Sequence, residues 1–171
     1  SEGFLSAQGK HVVVIGGGDT GSDCVGTAHR QGAKSVTQFE LLPRPPEERT
    51  PDMPWPRWPM ILRVSTSHEE GGRRDWSVST KAFSGEKGLV KSLHATRLEW
   101  TKGIDGRPGM KEVPGSEFEA PCDLCLLAMG FLGPEKGGML DQLGVKLNAQ
   151  GNVATDANFM TSLPGVFAAG D

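Results

Sequence analysis

A glycine-rich hexapeptide is the segment of this sequence with the clearest chemical meaning. Gly16, Gly18 and Gly21 have the spacing G-x-G-x-x-G. In this pattern the first glycine permits a tight turn, the second lets backbone approach a pyrophosphate, and the third lets a helix pack on a strand. The N-terminus of such a helix offers unpaired amides and a partial positive charge to phosphates. The candidate cofactor-binding residues of this loop are Gly16, Gly17, Gly18, Asp19, Thr20 and Gly21.

The elements around this loop decide whether the motif has its usual meaning, since a glycine-rich turn without a ligand is the alternative. Residues 12–15 are four consecutive β-branched residues, and a run apolar on both faces is typical of a central parallel strand. We predict a helix from about Asp19 to Gly32 and a second strand from about Val36 to Leu42. Strand, helix and strand in this order form a βαβ unit, which favours dinucleotide binding.

The second strand bears on which nicotinamide nucleotide would bind. Glu40 lies nineteen residues after Gly21, where an acid hydrogen-bonds the adenine ribose and repels a 2′-phosphate, which favours NADH. Arg44 follows four residues later and could instead receive the 2′-phosphate of NADPH. Both residues are candidate cofactor-binding residues, and the two interpretations stay open.

Asp19 has two interpretations of its own. As the N-cap of the helix it would contribute ~1 kcal/mol to helix stability. A carboxylate there would also compete with a phosphate for the helix amides, so the cofactor would meet the loop through its ribose or nicotinamide as well.

Other residues with chemical potential form no recognisable site. Cys122 and Cys125 make a CxxC, but residues three apart on a strand face opposite sides, so we interpret them as core thiols. The histidines at His11, His29, His68 and His94 lack metal-ligand spacing, and His68 is expected in a solvated loop. We assign no catalytic residue and no metal site, because hydride transfer would depend on cofactors.

The remainder of the chain predicts a second layer of strands. Residues 43–59 hold seven prolines and predict a semi-rigid loop, whose Trp55 and Trp58 must be buried within the parent protein, the favoured option, or against a partner. Short alternating runs between residues 76 and 113 predict an antiparallel meander. Residues 120–129 predict another buried parallel strand, and we add Met129 and Gly130 at its end to the candidate cofactor-binding residues. A short helix near 139–143 and brief strands around Val153 and Val166 complete the chain.

These elements together predict an α/β fold of the Rossmann type in three layers. A parallel sheet would carry helices on one face and the antiparallel β-meander on the other.

Composition excludes several classes of function. The 171 residues carry 18 basic and 21 acidic side chains, a net charge of -3 that argues against a nucleic-acid surface. No apolar stretch approaches the ~20 residues of a membrane span, and no signal peptide is visible. Three cysteines are typical of a reduced cytoplasmic protein. Because the chain starts without Met and stops in a strand-like stretch, we expect a piece of a longer protein.

The chain resembles the small (beta) subunit of glutamate synthase over nearly its whole length. The resemblance rests on the stretch around the glycine loop, on the proline- and tryptophan-rich segment, and on the Gly-Val-Phe-Ala-Ala-Gly-Asp end, which resembles a flavin motif. The segments that carry it are 9–27, 39–49, 54–59, 67–71, 126–135 and 165–171.

This resemblance implies a nicotinamide domain inserted between two halves of an FAD domain. Residues 1–152 would be the NAD(P)H-binding domain, and 153–171 the start of the returning FAD segment, in which Gly170 and Asp171 contact FAD. Hydride would pass from NAD(P)H to FAD, and electrons would pass through iron–sulfur clusters to the large (alpha) subunit, where glutamine and 2-oxoglutarate yield glutamate.

The resemblance also leans towards NADPH, and it makes the intact protein an oxidoreductase. The chain alone would bind nucleotide without turning over. Two alternatives remain: the equivalent domain of another flavoprotein reductase, such as that of dihydropyrimidine dehydrogenase, and a non-catalytic NAD(P)-sensing module.

Overall fold

A computed structural model describes residues 4–102 and 108–170 of the chain. The chain divides into two compact units, the first ending at Gly130 and the second beginning at Phe131. The elements of the first unit are β1 His11–Ile15, α1 Asp19–Arg30, β2 Ser35–Phe39, α2 Thr66–Glu69, β3 Arg73–Asp75, β4 Val78–Glu86, β5 Leu89–Lys102, β6 Pro108–Glu112, β7 Phe118–Pro121 and β8 Leu124–Leu127. The second unit contains α3, Met139–Leu143.

The first sheet of this unit is parallel, with the strand order β3-β2-β1-β8. β1 pairs with β2 on one side and with β8 on the other, so that Ile15 lies beside both Phe39 and Leu127. β3 extends the sheet beyond β2, with Phe39 beside Asp75. The carboxyl ends of the four strands therefore lie along one edge of the sheet.

Two apolar cores lie on the two faces of this sheet, because successive side chains of β1 point to opposite sides. Val12 and Val14 pack with Val25 of α1 in one core. Val13 packs with Phe39 and with Leu93 of β5 in the other core. The three-layer α/β prediction is confirmed, with a helix on one face of the parallel sheet and antiparallel strands on the other.

The antiparallel layer contains one strand more than the predicted meander. Its strands have the order β4-β5-β6, and β7 pairs with the amino-terminal half of β5. The parallel strand predicted over 120–129 is confirmed only over β8, since the start of that stretch belongs to β7 of the antiparallel layer. Between them the Cys122 amide donates to Lys91 of β5 and the Asp123 amide donates to His11 of β1. The chain therefore crosses from one sheet to the other at these two residues.

The second unit has little regular structure besides α3. The strands predicted around Val153 and Val166 are found as single bridges, which pair Leu147 with Val153 and Met160 with Phe167. The domain boundary predicted after residue 152 stays a prediction. Among the described residues, no helix is long and apolar enough to cross a membrane.

Candidate functional site

The glycine loop joins β1 to α1, and two of its glycines lie against backbone. A Cβ at Gly16, where φ is +118°, would lie 2.0 Å from the carbonyl oxygen of Ala128. A Cβ at Gly21 would lie 2.3 Å from the carbonyl oxygen of Gly16. Neither neighbour is a flexible side chain, so both positions require glycine. A Cβ at Gly18 would meet no described atom within 4 Å, which leaves that side of the loop open to a ligand.

The N-terminus of α1 is free of a side-chain cap. Gly18 is the N-cap, with extended backbone, and glycine has no side chain that could accept a helix amide. Asp19 is the first helical residue, so its predicted role as the N-cap is wrong; Gly18 takes that position. Asp19 and Thr20 are exposed. The first amides of the 12-residue helix have no intrahelical partner and are available to a phosphate.

The carboxyl edge of the sheet brings together the glycine loop, Glu40, Met129 and Gly130. The Gly16 amide donates to the carbonyl of Phe39 at 2.9 Å, and the Ala128 amide donates to that of Ile15 at 2.8 Å. Met129 and Gly130 therefore follow β8 directly beside the glycine loop, and both are exposed. Because β2 and β8 lie on opposite sides of β1, this edge is a switch point of the kind where open α/β sheets bind ligands.

Glu40 lies against the glycine loop and is paired with an arginine that sequence reasoning missed. A Cβ at Gly17 would lie 2.0 Å from Oε2 of Glu40, so the carboxylate contacts the loop backbone. Its Oε1 accepts from Nη2 of Arg74 at 3.2 Å, and the side chains are only 14% and 17% exposed. Arg74 also donates through Nη1 to the carbonyl of Arg63 at 2.8 Å. The Glu40 carboxylate is thus both oriented and neutralised by Arg74.

Arg44, the alternative phosphate-binding residue, has a more exposed setting. It pairs with Glu47 at 2.8 Å, with side chains that are 52% and 71% exposed. Its guanidinium carbon lies 5.6 Å from the ring centroid of Trp76, and that of Arg74 lies 5.1 Å from the same centroid. The structure therefore brings both arginines to one indole ring.

His68 is held inside the first unit, and the prediction of a solvated loop is wrong. Residues 66–69 form α2, and the imidazole Nε2 is 3.0 Å from Oε1 of the buried Gln38 side chain. Burial lowers the pKa of His68, and the charge of Arg74 lowers it further. The lowered pKa favours the neutral imidazole at pH 7.

Cys122 and Cys125 do not diverge as predicted. Cys122 precedes β8 instead of lying on it, so the alternation of a strand does not apply, and both side chains enter the same apolar core. The hydrogen bond with Cys122 and burial both raise the pKa of the Cys125 thiol. Both thiols are free. Among the described residues, no group of three or more His, Cys, Asp or Glu side chains could hold a metal ion.

The remaining predicted residues lie at the end of the chain. Gly170 belongs to the second unit and is exposed. Asp171 lies outside the described residues.

Comparison with known protein families shows to which family this chain belongs. The family described as pyridine nucleotide-disulphide oxidoreductase matches residues 2–171. The chain belongs to this family.

Several relatives of this chain are named glutamate synthase. It is 54% identical over 167 residues to the "Glutamate synthase [NADPH] small chain" of Mycobacterium tuberculosis (strain H37Rv), covering 98% of this chain and 33% of that protein. It is 42% identical to the protein of the same name from Bacillus subtilis, covering 98% and 35%. It is 48% identical to the "Glutamate synthase [NADH]" of Schizosaccharomyces pombe, covering 98% and 8%. The chain spans about a third of the length of the two bacterial relatives.

A solved structure supports the fold. The thioredoxin reductase of T. acidophilum matches with a TM-score of 0.58 at 23% identity, covering 96% of this chain and 44% of that one. The likeness confirms the Rossmann-type architecture.

Proposed function

We propose that this chain is the nicotinamide-nucleotide-binding part of a glutamate synthase small subunit. The observation that carries the proposal is the glycine loop at the carboxyl edge of the sheet. There the uncapped N-terminus of α1, the open side of Gly18 and the Glu40 carboxylate converge. These groups fit a dinucleotide, since the helix amides suit the pyrophosphate and Glu40 suits the adenine ribose. The names of the relatives support the glutamate synthase assignment.

The nucleotide we propose is NADPH. An acid at the end of the second strand usually disfavours a 2′-phosphate, but here Arg74 neutralises Glu40. Arg44 places a second cation at the same Trp76 ring. The names of the relatives include both [NADPH] and [NADH], so the chemistry around Glu40 carries this part of the proposal.

In the whole protein, the nucleotide bound here would supply hydride to FAD. We propose that residues 153–171 begin the segment that completes the FAD domain, with Gly170 and Asp171 at the flavin. The large subunit would be the partner that receives the electrons and makes glutamate from glutamine and 2-oxoglutarate. The "small chain" names of bacterial relatives support a two-subunit enzyme. The free cysteines support a cytoplasmic location. The chain alone would bind nucleotide without turnover.

The experiment that tests the proposal is calorimetric titration of the chain with NADPH and with NADH. We expect one site per chain and tighter binding of NADPH. Gly21→Val should abolish binding because its side chain would collide with the Gly16 carbonyl. Gly18→Ala should weaken binding and should lower the free energy of unfolding by no more than about 1 kcal/mol, because alanine is a poorer N-cap than glycine. Gly137→Ala is the matched control, since a Cβ there also meets no described atom within 4 Å. A wild-type chain that binds neither nucleotide would refute the proposal.

A further inference from the structure

A continuous set of hydrogen bonds runs behind the glycine loop. The Gln38 side chain is completely buried, and its Nε2 donates to the carbonyl of Gly16 at 2.7 Å. Its Oε1 is 3.0 Å from Nε2 of His68. Because the amide nitrogen of Gln38 is the donor to Gly16, its oxygen is the acceptor from His68. Nε2 of His68 therefore carries the proton.

The other side of the imidazole is an acceptor in this arrangement. Nδ1 of His68 accepts from the Ser65 backbone amide at 3.3 Å and from its hydroxyl at 3.0 Å. The Ser65 hydroxyl oxygen is then free to accept from Ser22, whose hydroxyl contacts it. One tautomer, with the proton on Nε2, satisfies all of these bonds together.

The bonds connect the two ends of the glycine loop through α2. Gly16 is the first residue of the loop, and Ser22 lies in the first turn of α1, which the loop opens. α2 packs closely on α1, since a Cβ at Gly26 would lie 2.9 Å from Cβ of Ser67. A Cβ at Gly21 would lie 2.7 Å from Nε2 of Gln38, so the third glycine also leaves room for this set of bonds.

We infer that His68 is a positioning residue that holds the glycine loop in the shape that binds a nicotinamide dinucleotide. The inference rests on the proposed function, because the ligand is the one proposed above. His68 does not contact the exposed side of the loop, where the nucleotide would lie. It acts by orienting the amide of Gln38, whose nitrogen fixes the Gly16 carbonyl and with it the turn.

Two variants separate the hydrogen bond from mere filling of space. His68→Phe keeps a flat ring but removes the donor to Gln38, and we expect NADPH to bind about tenfold more weakly. His68→Gln places an amide nitrogen near the position of Nε2, so binding should return to within about twofold of wild type. His94→Phe is the control, since His94 of β5 also bonds a serine, Ser84 at 2.7 Å. It should leave binding unchanged.

The outcomes distinguish the inference from the proposed function. A wild-type chain that binds no NADPH defeats the proposed function. Wild type that binds, with His68→Phe binding equally well, overturns only the inference. Failure of His68→Gln to restore binding also overturns it. If His68→Phe does not fold, nitrogen NMR of the wild-type imidazole decides: a proton on Nε2 at neutral pH supports the inference, and a proton on Nδ1 overturns it.

Discussion

Two regions of the molecule carry pairs of charged side chains, and the pairs differ in how far they are exposed to water. At the sheet edge, Glu40 pairs with Arg74 and Asp75 pairs with Arg97, and the two carboxylates are 14% and 16% exposed. In the proline-rich loop, the Glu47 carboxylate that pairs with Arg44 is 71% exposed. Exposed pairs contribute about 0–1 kcal/mol, whereas removing one partner of a half-buried pair leaves a charge that water compensates less well. The ion pairs therefore fix the positions of the charges at the sheet edge, whereas the exposed pair in the loop does not fix those of the loop.

The tryptophans of the loop follow the same division. Trp55 and Trp58 are 83% and 74% exposed, so this chain does not itself bury them. The guanidinium carbon of Arg63 lies over the Trp58 ring, 4.1 Å from the ring centroid. Arg49 supports the loop backbone by donating to the carbonyls of Met53 and Arg57. The loop is ordered by local contacts, and burial of its tryptophans in the parent protein or by a partner stays a prediction.

The largest contrast should appear in stability. Asp75 accepts two bonds from Arg97, at 2.7 and 2.9 Å, and Arg97 also lies over the Phe118 ring. We expect Asp75→Asn to lower the free energy of unfolding by about 1–3 kcal/mol. Glu47→Gln should change it by less than about 0.5 kcal/mol. Urea denaturation of the two variants measures the difference, and equal effects would contradict the division between half-buried and exposed pairs.

The half-buried and the exposed pair should also differ in how their contribution to stability depends on pH. The hydrogen bonds from Arg97 hold the pKa of Asp75 below its usual range. A carboxyl group with a depressed pKa in the folded state stabilises the protein fully above its unfolded pKa of about 3.9. That contribution is lost as the pH falls through the folded value. Wild type should therefore lose more stability below about pH 4 than Asp75→Asn does, whereas Glu47→Gln should follow wild type.

A smaller contrast is expected in the choice of nucleotide. Arg74→Gln would leave the Glu40 carboxylate uncompensated beside the ribose position, so the affinity for NADPH relative to NADH should fall about five- to tenfold. Arg44→Gln should change the ratio less than about threefold, because Arg44 is exposed and already paired with Glu47. Titrations of both variants with both nucleotides measure the ratios.

The double variant Glu40→Gln with Arg74→Gln shows whether Arg74 acts through Glu40. It should have the ratio of Glu40→Gln alone. If the affinity for NADPH relative to NADH falls more in Arg44→Gln than in Arg74→Gln, Arg44 and not Arg74 is the residue that favours NADPH.

The sequence predicts the part of the fold in which pattern and contacts are local. The β-branched run of β1, the glycines after it and the helix up to Gly32 are all read from neighbouring residues. The two-faced burial of β1 follows from Val12 and Val13 facing different cores. Glu40, at the end of the second strand, lies against the glycine loop because a βαβ unit has a nearly constant geometry; its role in binding the ribose stays a prediction.

The missed features depend on which distant strands pair. Arg74 reaches Glu40 only because β3 pairs in parallel with β2. The three residues of β3 have no apolar alternation that would predict a strand. The buried amide of Gln38 and the imidazole of His68 become partners only when α2 packs on α1. The change of sheet at Cys122 is not predicted from the sequence, because a nearly continuous apolar run does not reveal that its two ends pair with different strands.

A nicotinamide dinucleotide is expected to bind at the carboxyl edge of the parallel sheet, over the glycine loop. Amide NMR spectra of the labelled chain, recorded during titration with NADPH, test it most directly. We expect the amide signals of Gly17, Gly18 and Thr20 to shift together with that of Met129, while the amide signal of Met110 in β6 does not shift. Saturable shifts confined to the antiparallel strands, with the glycine loop unchanged, would contradict it.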